Sequence, residues 1–262
     1  MALRMIDTFS GIGGFSLAAR WLGGIETVQF VEREPFCQRI LAKHWPTVPI
    51  HDDICTFNPA PGSADIVCGG FPCTNISTAG NKQGLDGEAS GLFWELMRVI
   101  CMVGPRYVVL ENVSALLARG MGAALAALAQ AGFDAEWRCI RASSVGAPID
   151  REGRDRVWIV AMSHQWRCNG QGLSRQPAGE LVAGSTWCRG DFVGVPGARS
   201  DLWKDEPGVG RVVDGIPTGM DRAVRRSRIH ALGNAVVPQV AMIPLARVLE
   251  LERARASEPG FV

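Results

Sequence analysis

The stretch Asp65-Ile-Val-Cys-Gly-Gly-Phe-Pro-Cys73 decides how we interpret this chain, because an apolar run ends there in a turn that carries a cysteine. The run from Asp65 to Gly69 predicts a buried strand, and the Gly and Pro residues after it predict the turn. Open parallel sheets bind ligands at the carboxyl ends of their strands, so a thiol at Cys73 is placed to act as a nucleophile. The alternative is that Cys73 is a small apolar filler, as many free cysteines are.

The composition is that of an ordinary soluble globular protein. The chain has 262 residues, of which 47% are hydrophobic and 20% charged, and its net charge is +1, so a nucleic-acid partner must be bound by a local basic patch. The eight cysteines include no Cys-x-x-Cys pair, which favours reduced thiols in a cytoplasm over a disulfide or zinc framework. The first residues run straight into a strand pattern, and we expect no signal peptide and no apolar stretch long enough to span a membrane.

The first unit of the chain predicts a strand, a glycine turn and a helix. Leu3 to Phe9 is a short apolar run, Ser10-Gly-Ile-Gly-Gly14 follows it, and apolar residues from Phe15 to Leu22 then recur at helical spacing. Glycines in such a turn let the backbone approach a ligand, and the helix N-terminus offers unpaired N–H groups to it. The turn departs from the G-x-G-x-x-G fingerprint, so a purely structural turn is the alternative.

Two further strand ends carry acidic residues. Thr27 to Val31 predicts a strand that ends at Glu32, where a carboxylate commonly accepts hydrogen bonds from ribose hydroxyls; a solvated surface charge is the alternative. Val48 to Ile54 predicts a third strand end, at which Asp53 and Ile54 suit the edge and the face of an adenine. The three strand ends together predict a site for a nucleoside-containing cofactor.

The rest of the pattern predicts a doubly wound, mostly parallel α/β sheet. We predict helices over residues 35–44, 91–103 and 121–131, and strands over residues 107–110, 135–140 and 157–161. The aperiodic segment 74–90 is typical of a functional loop. The strand over 107–110 delivers Glu111 and Asn112 to the same sheet edge as Cys73, where burial raises the pKa of a carboxyl and suits it to donate a proton.

From about Arg4 to Leu249 the chain resembles the DNA (cytosine-5) methyltransferases, and in particular the small prokaryotic or phage members of this family. Five motifs in the family's order carry the resemblance: Asp7-Thr-Phe-Ser-Gly-Ile-Gly-Gly-Phe15 is similar to the cofactor loop, Gly70-Phe-Pro-Cys73 to the nucleophile loop, Glu111-Asn-Val113 to the acid motif, Arg154-Asp-Arg156 to the arginine motif, and Gly233-Asn-Ala-Val-Val-Pro238 to the closing motif. The resemblance implies the Rossmann-like fold of S-adenosylmethionine-dependent methyltransferases.

The resemblance also implies a role for each motif. The Cys73 thiolate would add to carbon 6 of a cytosine flipped out of the duplex, and Glu111 would protonate ring nitrogen 3. Arg154 and Arg156, at a spacing of two on the approach to a strand, would point the same way. Both are predicted catalytic residues, and the resemblance implies that Arg156 helps to hold the cytosine and its developing charge. The implied ligands of S-adenosylmethionine are Phe9, Ser10, Gly11, Ile12, Gly13, Gly14, Glu32, Asp53, Ile54, Asn234, Ala235 and Val236.

We predict three segments in the chain. Residues 1–162 form a catalytic and cofactor-binding domain, residues 163–228 a small irregular target-recognition region, and residues 229–262 a C-terminal segment that returns to the catalytic domain and ends in a frayed tail from Glu252. Residues 163–228 hold 10 Lys and Arg against 7 Asp and Glu, an excess that favours DNA over the alternative of a loose linker. The predicted phosphate contacts are Arg222, Arg225, Arg226 and Arg228.

One departure from the family concerns the arginine motif. Ile149 to Gly153 separate Gly146-Ala-Pro148 from Arg154 and have the look of an insertion, which leaves the partners of the two arginines open. His164 and His230 have no second ligand at metal spacing, so we predict no metal site.

The expected partner is double-stranded DNA, with no membrane, and the resemblance adds a cognate restriction endonuclease. We expect a monomer in the cytoplasm of a prokaryotic cell or a phage-infected host. Two alternatives stay open, namely an RNA cytosine-5 methyltransferase and a catalytically silent DNA-binding relic.

Overall fold

A computed structural model describes residues 1–72, 91–145, 154–166 and 222–257 of the chain. The strands in these ranges are β1 (Leu3–Thr8), β2 (Ile25–Val31), β3 (Ile50–His51), β4 (Ile66–Gly70), β5 (Tyr107–Val113), β6 (Phe133–Arg141) and β7 (Asp155–Ser163). The helices are α1 (Gly14–Leu22), α2 (Pro35–His44), α3 (Gly91–Val103), α4 (Leu116–Arg119), α5 (Met121–Gln130), α6 (Arg222–Asn234) and α7 (Pro238–Ala256).

These strands form one sheet in the order β3-β2-β1-β4-β5-β7-β6. The strands β1 to β5 pair in parallel, whereas β7 runs antiparallel to both β5 and β6. The chain builds outward from β1 to β3 and then returns to place β4 on the other side of β1. This reversal opens a crevice at the carboxyl ends of β1 and β4, and it confirms the predicted doubly wound, mostly parallel sheet.

A hydrophobic core covers each face of the sheet. On one face α3 and α5 pack against the sheet through Phe93, Leu96, Ile100 and Leu128. On the other face α1 and α7 do the same through residues that include Phe15, Ala18, Val240, Leu245 and Val248. Both faces are therefore covered by helices, as the continuous apolar runs of a parallel sheet require.

The predicted helices over 35–44 and 91–103 have the predicted bounds, but four strands are longer than predicted, of which β2 begins at Ile25 and not at Thr27. The strand predicted over 107–110 continues to Val113, so Glu111 and Asn112 lie inside β5 and not after it. β6 and β7 each have nine residues, because antiparallel pairing extends past the apolar centre of each strand into its charged ends. The short helix α4 was not predicted at all.

The prediction of a frayed tail from Glu252 is wrong for residues 252–257, and residues 258–262 lie outside the described part of the chain. α7 continues to Ala256, and Glu252 is held at the amino end of β5. Its carboxylate pairs with Arg106 at 2.5 Å and accepts a hydrogen bond of 2.9 Å from the hydroxyl of Tyr107. Partners 145 and more residues away in sequence explain why the local pattern did not reveal this attachment.

The expectation that no stretch is long enough to span a membrane also needs correction. An 18-residue stretch within residues 230–256 has a mean hydropathy of 1.4, and this segment would be long and apolar enough to span a membrane by length and composition. In the fold, however, this segment is interrupted between α6 and α7, and its apolar residues from Val240 to Val248 are buried against the sheet. α7 is therefore a core helix of the fold.

Candidate active site

A cavity of about 830 Å³ opens at the carboxyl ends of β1, β2, β4 and β5. Nine of the predicted site residues line it: Phe9, Gly11, Glu32, Asp53, Ile54, Glu111, Arg154, Arg156 and Asn234. The other predicted cofactor ligands do not line the cavity but belong to the same two segments as Gly11 and Asn234: Ser10, Ile12, Gly13, Gly14, Ala235 and Val236. Residues from four separate motifs thus meet in one space.

The glycines of the turn differ in how closely other residues pack against them. Gly13 and Gly14 are packed positions, since a Cβ at Gly13 would lie 2.7 Å from the Trp45 ring and one at Gly14 would lie 2.4 Å from the carbonyl oxygen of Val236. Gly11 has a φ of +55° and open space where a Cβ would be. Gly13 and Gly14 are therefore required for packing, whereas Gly11 lines the cavity and is open to a ligand.

Glu32 connects the end of β2 to this turn. Its Oε2 accepts a hydrogen bond of 2.7 Å from the backbone N–H of Gly11, and its Oε1 accepts one of 2.7 Å from the N–H of Glu34. Each carboxylate oxygen has a second lone pair, so these bonds fix the carboxylate and leave acceptor capacity towards the cavity. Glu32 is therefore held by two backbone N–H donors and is not merely a solvated surface charge.

Asp53 and Ile54 lie on a short loop that is held in place by an arginine from another element. Oδ1 of Asp53 accepts a bond of 2.9 Å from the N–H of Cys55, and this bond lowers the pKa of the Asp53 carboxyl. Arg98 of α3 donates to the carbonyl oxygens of Ile54 at 2.7 Å and Phe57 at 3.1 Å. The sequence analysis did not identify Arg98. The helical pattern around it predicts only that it lies on a helix and does not indicate a contact with a loop 44 residues earlier.

Glu111 and Arg156 form the charged centre of the cavity. Nε of Arg156 lies 3.0 Å from Oε1 of Glu111, and the two side chains are 25% and 13% exposed. Burial raises the pKa of the Glu111 carboxyl, and the guanidinium groups of Arg156 and Arg154 oppose this rise without cancelling it. Gly70 faces Glu111 across the β4–β5 pair, and a Cβ there would lie only 2.8 Å from Oε2 of Glu111. The absence of a side chain at Gly70 therefore makes room for the acid.

Asn112 ties β5 to the predicted nucleophile loop. This buried amide donates from Nδ2 to the carbonyl oxygen of Phe71 at 3.2 Å. Phe71 and Pro72 both line the cavity. Cys73 itself, the predicted nucleophile, lies outside the described residues, so its position stays a prediction.

Arg154 has different partners from those of Arg156. Its Nη1 donates to the carbonyl oxygen of Gly233 at 2.7 Å, and its Nη2 donates to that of Ala235 at 2.8 Å. Both arginines line the cavity, as their spacing of two predicts, but Arg156 contacts the acid whereas Arg154 contacts the closing motif.

A buried polar cluster lies below the glycine turn and was not predicted. Asp7 is fully buried on β1, where its Oδ2 accepts a bond of 2.6 Å from the hydroxyl of Ser16, which in turn accepts from Thr27 at 2.9 Å. Burial raises the pKa of the Asp7 carboxyl to about 7. A polar residue within an apolar strand run was the available sign, since such a residue needs buried partners.

The predicted DNA contacts lie on α6. The side chain of Arg228 is exposed, while the side chains of Arg222, Arg225 and Arg226 lie outside what the structure describes. α6 is one continuous helix across residues 228 and 229, and its residues His230, Ala231, Gly233 and Asn234 line the cavity. Within the described parts of the chain no cluster of three His, Cys, Asp or Glu residues is arranged to hold a metal ion.

The chain matches the model of the C-5 cytosine-specific DNA methylase family over residues 3–183. Because this match covers more than half of the chain, the protein belongs to that family.

Two curated relatives share about a third of their aligned residues with the chain. Type II methyltransferase M2.BsuMI of Bacillus subtilis (strain 168) is 34% identical over 167 residues, which are 61% of this chain and 42% of the relative. Type II methyltransferase M.CviJI of Paramecium bursaria Chlorella virus IL3A is 31% identical over 173 residues, which are 64% of this chain and 43% of the relative. The matching part thus spans less than half the length of these relatives.

Solved structures share the fold at lower identity. The S. pombe Dnmt2 methyltransferase superposes with a TM-score of 0.51 at 19% identity, over 64% of this chain and 52% of that chain. The Entamoeba histolytica methyltransferase EhMeth superposes with a TM-score of 0.51 at 16% identity, over 65% and 56%. The chain therefore has the Rossmann-like fold of these methyltransferases.

Proposed function

We propose that this protein transfers a methyl group from S-adenosylmethionine to carbon 5 of a flipped-out cytosine in duplex DNA. The observation that supports the proposal most is the shared cavity. The buried acid Glu111, paired with Arg156, lines it together with the ends of the three strands that carry the predicted cofactor ligands. The same cavity reaches Pro72, the neighbour of Cys73 in the chain. A thiol, a proton-bearing carboxyl and a guanidinium are the groups that covalent activation of a pyrimidine requires.

The residues at the strand ends fit S-adenosylmethionine. A volume of about 830 Å³ lies within the range of small-molecule sites. Glu32 and Asp53 offer carboxylates to hydroxyl and amino groups, and Ile54 offers an apolar surface to an aromatic ring, so these residues and Asn234 would hold the cofactor. When bound, S-adenosylmethionine supplies an electrophilic methyl group.

The protein's own groups prepare the cytosine. In the proposed reaction the Cys73 thiolate forms a bond to carbon 6, and Glu111 gives its proton to ring nitrogen 3, so that carbon 5 becomes nucleophilic. The raised pKa of Glu111 keeps this proton available. After methylation the hydrogen on carbon 5 leaves as a proton, the thiolate is expelled, and the proton on ring nitrogen 3 returns to Glu111, which restores the enzyme. Arg156 orients the carboxyl of Glu111 through their 3.0 Å contact.

DNA recognition is assigned to residues 163–228 between a catalytic domain over 1–162 and a closing segment over 229–262. The basic excess of residues 163–228 supports this division, and α6 joins the predicted arginines directly to the cavity wall. Phosphate contacts by these arginines would orient the duplex without selecting a sequence. The relatives are Type II methyltransferases, so we extend the proposal to a cognate restriction endonuclease.

The proposal is tested by bisulfite sequencing of DNA from cells that express the protein, beside cells that express Glu111→Gln. We expect 5-methylcytosine in a defined sequence context only with the unchanged protein. In vitro, transfer of a labelled methyl group to duplex DNA and to RNA distinguishes the two substrate classes. Methylation of RNA alone would favour the RNA alternative, and binding without methylation of either would favour the silent relic.

A further inference from the structure

Arg154 holds the junction between α6 and α7. Its guanidinium donates one hydrogen bond to the carbonyl oxygen of Gly233 and another to that of Ala235, at 2.7 and 2.8 Å. These two carbonyls flank Asn234, the last residue of α6 and a residue of the cavity wall. The two hydrogen bonds therefore hold the backbone on both sides of a predicted cofactor ligand.

The position of these carbonyls explains why a cation is needed there. The last carbonyl oxygens of a helix have no partner within the helix, and the helix dipole places partial negative charge on them. The Arg154 guanidinium satisfies one such acceptor, the carbonyl of Gly233, and also the carbonyl of Ala235 one residue past the end of the helix, with charge-assisted hydrogen bonds. Arg154 has a φ of 39°, a left-handed conformation that is rare for residues other than glycine and that is kept only where the surroundings require it.

The junction that Arg154 holds is packed directly on the glycine turn. A Cβ at Gly14 would lie 2.4 Å from the carbonyl oxygen of Val236, so little free space separates the two segments. Nδ2 of Asn234 also lies 3.0 Å from Nε2 of His230 on the preceding turn of α6, which orients the amide. A shift of the junction would therefore move Asn234 and change the wall on the cofactor side of the cavity.

We propose that Arg154 is a positioning residue for cofactor binding, which acts by clamping the α6–α7 junction against the glycine turn, whereas Arg156 serves the reacting base. This inference rests on the proposed function, because it takes the site to be that of S-adenosylmethionine. It separates two arginines that lie two residues apart, line the same cavity and were predicted to share one role.

The test compares Arg154→Met and Arg154→Lys with Arg156→Lys in the full-length protein. Calorimetry measures the Kd of S-adenosylhomocysteine without DNA, and single-turnover methylation at saturating cofactor measures the chemical step. We expect Arg154→Met to raise the Kd by about tenfold or more, as the loss of hydrogen bonds to a charged group does, and to change the saturated rate little. Arg154→Lys should lie between, since an ammonium group reaches fewer acceptors. Arg156→Lys should lower the rate and leave the Kd unchanged.

A double-mutant cycle with Asn234→Ala distinguishes an effect of Arg154 through Asn234 from a general loss of structure. If Arg154 acts through Asn234, the effects of Arg154→Lys and Asn234→Ala on the Kd are less than additive. Arg253→Met, which removes an exposed guanidinium from α7 beside the other end of the sheet, should leave the Kd unchanged. Full additivity, or an unchanged Kd together with a lost rate for Arg154→Met, overturns the inference. A wild-type protein that binds no S-adenosylhomocysteine contradicts the proposed function as well.

Discussion

Nε of Arg156 lies 3.0 Å from Oε1 of Glu111 because β5 and β7 pair in a register that places the two residues diagonally on one face of the sheet. Glu111 is opposite Trp158 in this register, and Arg156 is opposite Val113. Burial and the guanidinium act in opposite directions on the pKa of Glu111, and burial prevails. The pair is therefore suited to keep a proton on the acid while it holds the acid in a fixed orientation.

Glu111→Gln should abolish most methyl transfer while cofactor binding stays intact. The amide has nearly the same shape as the acid but has no proton to give to ring nitrogen 3, and general acid catalysis contributes about 100-fold or more. The measurement is the single-turnover rate on duplex DNA beside the Kd of S-adenosylhomocysteine. A rate close to that of the unchanged protein would remove the assigned role of Glu111.

The pH dependence of the rate should reflect the raised pKa of Glu111. The protonated carboxyl is the donor, so the rate should fall as the pH rises through a pKa above that of an ordinary glutamate. Arg156→Met should shift this fall to higher pH, because the guanidinium lowers the pKa of Glu111. Single-turnover rates across a pH series measure both effects, and a shift to lower pH in the variant would contradict the pairing.

Asp7→Asn should remove a pH dependence of stability. The pKa of Asp7 is raised from 3.8 to about 7 in the folded state, so between these values the folded protein binds a proton that the unfolded chain has lost. The free energy of unfolding then falls as the pH rises across this window, by up to roughly 1.4 kcal/mol for each pH unit. Urea denaturation at several pH values should show this slope in the unchanged protein and a flatter one in Asp7→Asn. Equal slopes would show that Asp7 does not titrate as its burial requires.

Arg98→Met should weaken cofactor binding by about tenfold, because the hydrogen bonds of the charged guanidinium hold the loop that presents Asp53 and Ile54. Glu95→Gln is the matched control. It removes the carboxylate that lies 2.6 Å from Nε of Arg98 but keeps the donors to the loop carbonyls. Calorimetry with S-adenosylhomocysteine should therefore show a larger rise in Kd for Arg98→Met than for Glu95→Gln. A larger rise for Glu95→Gln would show that contacts other than those of Arg98 hold the loop.

The strands and helices up to residue 44 follow from local patterns, because apolar runs, a glycine turn and Pro35 at a helix start each leave a sign within a few residues. The ends of β6 and β7 do not, since charged residues such as Asp134 and Arg156 lie there and only the partner strand makes them part of the sheet. In the site, the motifs predicted which residues meet. The clamp by Arg154 and the loop contacts of Arg98 depend on distant partners, and no local pattern reports them. The buried Asp7 leaves one local sign, a polar residue within an apolar strand run.

Two described cysteines near the proposed site are poorly suited to attack a base. Cys37 lines the cavity, but burial and the carboxylates of Glu32 and Glu34 raise the pKa of its thiol to about 12. Cys68 is fully buried on β4, and burial with the nearby Asp7 raises the pKa of its thiol well above the usual value. A thiol must lose its proton to act as a nucleophile, so both are controls for the assignment of Cys73.

The most direct test of the account is covalent trapping on duplex DNA that carries 5-fluorocytosine at the target base. After attack at carbon 6 and methylation at carbon 5, release needs the loss of the carbon 5 substituent as a cation, which a proton can do and fluorine cannot. We predict a denaturant-resistant adduct that forms only with S-adenosylmethionine, persists in Cys37→Ser and is absent from Cys73→Ser. An adduct that survives in Cys73→Ser, or one that peptide mapping places on Cys37 or Cys68, would contradict the account.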